Sequence, residues 1–153
     1  MDLIAGETKE ILLAVAIDDW EGFRDRTRFP AHLALGAGLD PAWLDLFSEA
    51  VRSVTGAGQP ADFLNACTEL GGPADVGDRT IERIDRAWLG AVARIRDGQV
   101  DGVAARWIDL LHREMGESLA PEEKPWIRVL AAEVVAFARN AEGAPDVLFA
   151  WSP

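Results

Sequence analysis

Val100-Asp101-Gly102-Val103-Ala104-Ala105-Arg106-Trp107-Ile108-Asp109-Leu110-Leu111-His112-Arg113-Glu114-Met115 is the stretch whose reading decides the fold class. Val100, Val103, Ala104, Trp107, Ile108, Leu111 and Met115 fall at offsets 0, 3, 4, 7, 8, 11 and 15, one apolar stripe at helical period. The spacing predicts a helix over 99–115, with Gly116 where a left-handed C-terminal cap is wanted. Downstream, Ile127, Leu130, Val134, Phe137, Ala138 and Ala141 predict a longer helix over 122–142, with Pro125 admissible in its first turn and Gly143 as terminator.

Upstream, Leu39-Asp40-Pro41-Ala42-Trp43-Leu44 and Ile84-Asp85-Arg86-Ala87-Trp88-Leu89 share a helix-start grammar. Each places an Asp where its carboxylate can accept N-terminal amide hydrogens, with apolar residues before it and at the fourth helical position. The predicted helices cover 41–55, ending at Gly56, and 86–96, ending at Gly98. The apolar run Ile11 to Ile17 is read as part of a helix over 8–24, with a buried strand as the competing reading. A short helix near 61–69 lies between the Gly56-Ala57-Gly58-Gln59-Pro60 and Gly71-Gly72-Pro73 loops. Runs at 79–84 and 146–151 are bounded by turn residues and predict strands, with 32–35 as a third. The expectation is one α+β domain over 1–153, predominantly helical, with five or six helices and a two- or three-stranded sheet; an all-α architecture is the alternative.

Composition narrows the function classes. Of 153 residues 49% are hydrophobic, so there is ample material for a core. Acidic residues outnumber basic ones 26 to 15, giving a net charge of −11. That field repels phosphate backbones and anionic lipid, which argues against nucleic-acid and membrane partners. Met1-Asp2-Leu3-Ile4 opens acidic, and Glu7, Lys9 and Glu10 interrupt the apolar character of the next residues, so no export signal is expected. Ile11 to Ile17, the longest apolar run, falls far short of the roughly 20 residues that span a bilayer. Cys67 is the single cysteine, which excludes an internal disulfide and suits a reducing cytoplasm as a buried, inert thiol.

Several groupings invite a chemical reading. Arg24, Arg26 and Arg28 form the one basic concentration, beside Phe29 and His32, and guanidinium forks could grip an anionic ligand there. Glu21 and Asp25 are interleaved with them, so a salt-bridged surface turn is the competing reading. Asp18, Asp19 and Glu21 could divide acid and base work only if their environments separated their pKa values, and otherwise form a solvated edge. Asp109 and His112 have a spacing compatible with shared metal coordination, but two histidines in the whole chain give no rich site, and a role at the helix C-terminus suits His112 better. Gly36-Ala37-Gly38 lacks the glycines of a nucleotide loop and is followed by Asp40, which would repel phosphate. Ser48, Ser53, Ser118 and Ser152 lack the setting of a hydrolase nucleophile. No catalytic set, metal site or cofactor is therefore predicted.

In its second half the order of Arg79 to Ile84, a helix from Asp85, a helix containing Trp107, a long helix and Asp146 to Trp151 resembles the YfbM-like bacterial domains. The resemblance covers about 75 residues, implies a mostly helical fold with a few strands, and carries no activity to transfer. Two function classes fit the residues. The first is a cytoplasmic protein-interaction module, immunity-like or regulatory, with a basic protein as partner. The alternative is a small-molecule binder or enzyme using an anion site around Arg24, Arg26, Arg28 and His32, with Asp18 or Asp19. Nothing in the chain signals an oligomeric state.

Overall fold

The computed structural model describes residues 1–36, 39–70, 75–76, 79–116 and 122–152. Its elements run in the order β1 (Asp2–Gly6), α1 (Thr8–Ala16), a 3-10 turn (Gly22–Arg24), β2 (Ala31–Ala34), α2 (Ala42–Thr55), α3 (Phe63–Ala66), β3 (Cys67–Glu69), β4 (Asp75–Val76), β5 (Arg79–Ile84), α4 (Arg86–Ala93), α5 (Asp97–Met115), α6 (Glu123–Ala141) and β6 (Asp146–Trp151). The architecture is α+β. The sheet runs β2-β1-β6-β5-β3, with β4 also paired to β5, and every pairing is antiparallel.

The sheet is larger than the two or three strands expected, and an all-α fold is excluded. β1 lies second from one edge of the strand order, between β2 and β6, and all five of its residues are buried. A strand covered on both faces needs no apolar alternation, so five residues of it leave no periodic trace. The chain fills both faces. Leu3, Ala5, Ala31, Val147, Phe149 and Ile84 share a core with α2, α4, α5 and α6. Ile4, Leu148, Ala150 and Ile81 face the other way, onto Ile11, Ala14 and Val15 of α1 and onto Phe23 and Phe29.

Other boundaries shift for local reasons. The helix expected over 8–24 stops at Ala16, because Asp18 takes a left-handed φ of 55° and the chain turns. The helix expected over 86–96 stops at Ala93; Gly98 lies inside α5, which begins at Asp97. Ile95, buried between them, donates its N–H to Val92 O and closes the turn. The 61–69 segment is helical only over Phe63–Ala66 and then becomes β3. Ala37, Gly38, Gly71-Gly72-Pro73, Gly77-Asp78 and Ser118 lie outside the described residues.

Both expected Asp caps are present. Asp85 Oδ1 accepts from Ala87 N and Asp40 Oδ1 from Ala42 N, each at 2.9 Å. Flanking Leu39, Leu44, Ile84 and Leu89 are all buried in the larger core. Asp→Ala at either position is expected to cost about 0.5–2 kcal/mol without altering the fold. Denaturant midpoints check this: alanine variants unfolding at the wild-type midpoint with unchanged slope would refute the capping role.

α2 and α5 run antiparallel in close contact. Val54 lies 3.5 Å from where a side chain on Gly102 would begin, Glu49 faces Arg106 at 3.9 Å, and Trp107 Nε1 donates to Trp43 O at 2.8 Å. Ser48, fully buried on α2, donates to Leu44 O and accepts from Trp88 Nε1, so the polar atoms this core encloses are satisfied.

Candidate functional site

The basic cluster is divided by its surroundings. Arg24 is exposed and 4.0 Å from Glu21. Arg28 sends Nε and Nη2 to Glu10 Oε2 and lies 5.0 Å over the Phe29 ring. Asp25 is not an ion-pair partner here: its Oδ1 accepts from the Thr27 hydroxyl and N–H, which hold its carboxyl below the ordinary value. Arg26 Nη1 donates to the carbonyl of Phe23 at 2.9 Å. His32 Nε2 lies 3.0 Å from Asp2 Oδ1, and its ring packs on Phe23. Arg26 and His32 line one cleft of about 220 Å³ between β2 and α6, together with Glu133 and Asn140. Arg24 and Arg28 do not line it.

The acidic triplet serves the turn. Asp18 Oδ1 accepts from Trp20 Nε1, and Asp19 Oδ1 accepts from Gly22 N, with the Asp19 carboxylate occupying the space a side chain on Gly22 would need. Asp109 and His112 are exposed on α5, and no group of three metal-ligating side chains occurs among the described residues. Cys67 is half-buried at the β3 edge, and burial pushes its thiol up to about 12, with Glu82 and Asp45 adding. At pH 8 about one such thiol in ten thousand is ionised. Alkylation by iodoacetamide is therefore expected at least about a hundredfold slower than for a free thiol. A rate close to that of glutathione would contradict it.

A second concavity was not foreseen from the sequence. The start of α2 and the end of α5 enclose about 440 Å³, lined by Asp40, Ala42, Trp43, Asp45, Leu46, Glu114 and Met115. Trp43, Leu46 and Met115 are half-buried and pack on the larger core. Asp45 Oδ1 accepts from Leu64 N at 2.8 Å; burial raises its carboxyl above the ordinary value against that bond, and the charge of Asp62 adds. The result is an apolar floor with three carboxylates at its margin and no cation among the described residues that line it. Asp40 was legible as a cap, but its meeting with Glu114 depends on the antiparallel packing of two helices far apart in sequence.

Comparison with protein-family models, with curated proteins and with solved structures finds no match to this chain. No helix among the described residues is long and apolar enough to cross a membrane.

Proposed function

We propose that this protein is an interaction module, immunity-like or regulatory, that receives a basic protein partner at the acidic groove between the start of α2 and the end of α5. The observation that carries the reading is the juxtaposition of Asp40, Asp45 and Glu114 with Trp43, Leu46 and Met115. A Lys or Arg side chain has a matching anatomy, a charged head for the carboxylates and an aliphatic stem for the indole. The net charge of −11 would steer such a partner and disfavour nucleic acid. A single cysteine, which can form no internal disulfide, suits a cytoplasmic setting. The alternative anion site has less support, because only Arg26 and His32 of its four residues share a cleft.

The test uses an Arg- and Leu-rich probe peptide. The variant Asp40→Asn/Asp45→Asn/Glu114→Gln keeps the capping and hydrogen-bond geometry while removing three charges, and is expected to weaken binding at least about tenfold. A control variant, Asp101→Asn/Asp109→Asn/Glu142→Gln, removes three exposed charges elsewhere and should weaken it far less. Equal losses in the two variants would reduce the effect to net charge and overturn the groove as the site.

A further inference from the structure

Most arginines of this acidic chain are spent on carboxylates, as Arg28 is on Glu10, Arg52 on Asp62 and Arg139 on Asp97. Others are spent on carbonyls: Arg86 donates to Glu142 O, Ala144 O and Pro145 O. Arg94 and Arg96 differ. Among the described residues neither forms an ion pair, yet both line one cleft of about 250 Å³ with Thr55, Gln59 and Gln99. The cleft sits where α2 ends and α5 begins, at the opposite end of the helix pair from the acidic groove.

What the cleft offers is donors. Gln99 Oε1 accepts from Arg96 N at 3.1 Å and from Arg96 Nε at 3.4 Å, so the amide NH₂ is what Gln99 has left for a ligand. The Thr55 hydroxyl spends its hydrogen on Val51 O and accepts from Ala57 N, so the donors open to a ligand are the guanidiniums and the glutamine amides. Arg94 lies back over α4, where a side chain on Gly90 would begin 3.1 Å from its Nη1. No carboxylate is among the described residues that line the cleft, and the nearest one in sequence, Asp97, is held by Arg139 Nη1 at 2.7 Å. The N-terminal end of the 19-residue α5 adds its partial positive charge.

We infer that this cleft binds a phosphate-type oxyanion, either inorganic phosphate or the phosphate of a small monoester. Two guanidiniums balance a dianion, and their N–H forks with the two glutamine amides can serve several oxygens of a tetrahedral group. The cleft, at about 250 Å³, is larger than one phosphate needs, which leaves space for the carbon of an ester. The site is independent of the partner groove.

Calorimetric titration at constant ionic strength tests the inference, using inorganic phosphate, glycerol 3-phosphate, acetate and chloride. Side-chain N–H resonances of Arg94, Arg96, Gln59 and Gln99 are followed in parallel. Both phosphates are expected to bind and to shift those resonances, and Arg94→Gln or Arg96→Gln should each weaken binding at least about tenfold. Tighter binding of glycerol 3-phosphate would identify a monoester ligand, and equal binding the free ion. Arg113→Gln, an exposed arginine outside the cleft, should leave both affinities unchanged. Acetate or chloride matching phosphate, or an Arg113→Gln loss equal to that of Arg94→Gln, would overturn the site.

Discussion

Replacing Trp107 by alanine is expected to lower the unfolding free energy by about 3–5 kcal/mol, the range for emptying a large aromatic from a core. Trp107 is 0% exposed, meets Phe47 edge to face at 5.1 Å, and donates its indole N–H to Trp43 O. The substitution therefore removes apolar burial and leaves a cavity between the two helices that carry the acidic groove. Trp107→Phe weights the two effects differently, because it keeps most of the volume and loses the whole hydrogen bond. Its cost should be about 1–2 kcal/mol. If the groove is the partner site, the same variant should weaken the probe peptide, since the lost bond ties Trp43 to α5. Urea midpoints at constant slope measure the stability effects, and a Trp107→Ala loss under about 1 kcal/mol would contradict the core position.

What could be read in the chain depends on which interactions are local. The stripe from Val100 to Met115, the caps at Asp40 and Asp85, and the glycine after Thr55 are encoded within one or two turns, and α2 and α5 appear close to where spacing put them. Gly56 takes the left-handed φ of 68° that its position demands. Strands β1 and β3 were illegible because each is short and paired with residues distant in sequence, and β4, although it pairs with the neighbouring β5, is only two residues long. The same physics divides the candidate sites. Arg24, Arg26 and Arg28 attract notice as neighbours in sequence, but a 3-10 turn followed by extended backbone at Asp25 sends them to different partners. Asp40 with Glu114, and Gln59 with Arg94 and Arg96, meet only through tertiary packing.

The strand that sequence missed should be among the most protected parts of the molecule. Ile4 is 0% exposed, pairs with His32 on one side and Leu148 on the other, and packs against Ile11, Phe23 and Ile81. Ile4→Ala is expected to cost about 2–5 kcal/mol, whereas Leu13→Ala on the exposed side of α1, at 55% exposure, should stay within about 0.5 kcal/mol. Amide exchange gives a sharper criterion. Leu35 N donates to Met1 O, which fixes the parity of the β1–β2 ladder, so Leu3 and Ala5 bond towards β2 while Ile4 bonds towards β6. Consecutive amides from Leu3 to Ala5 should therefore all exchange near the global unfolding limit. On β2 the same parity turns the N–H groups of His32 and Ala34 to the free edge, where they should exchange faster than those of Ala31 and Leu33. Rapid exchange at Ile4, or uniform protection along β2, would contradict this strand order.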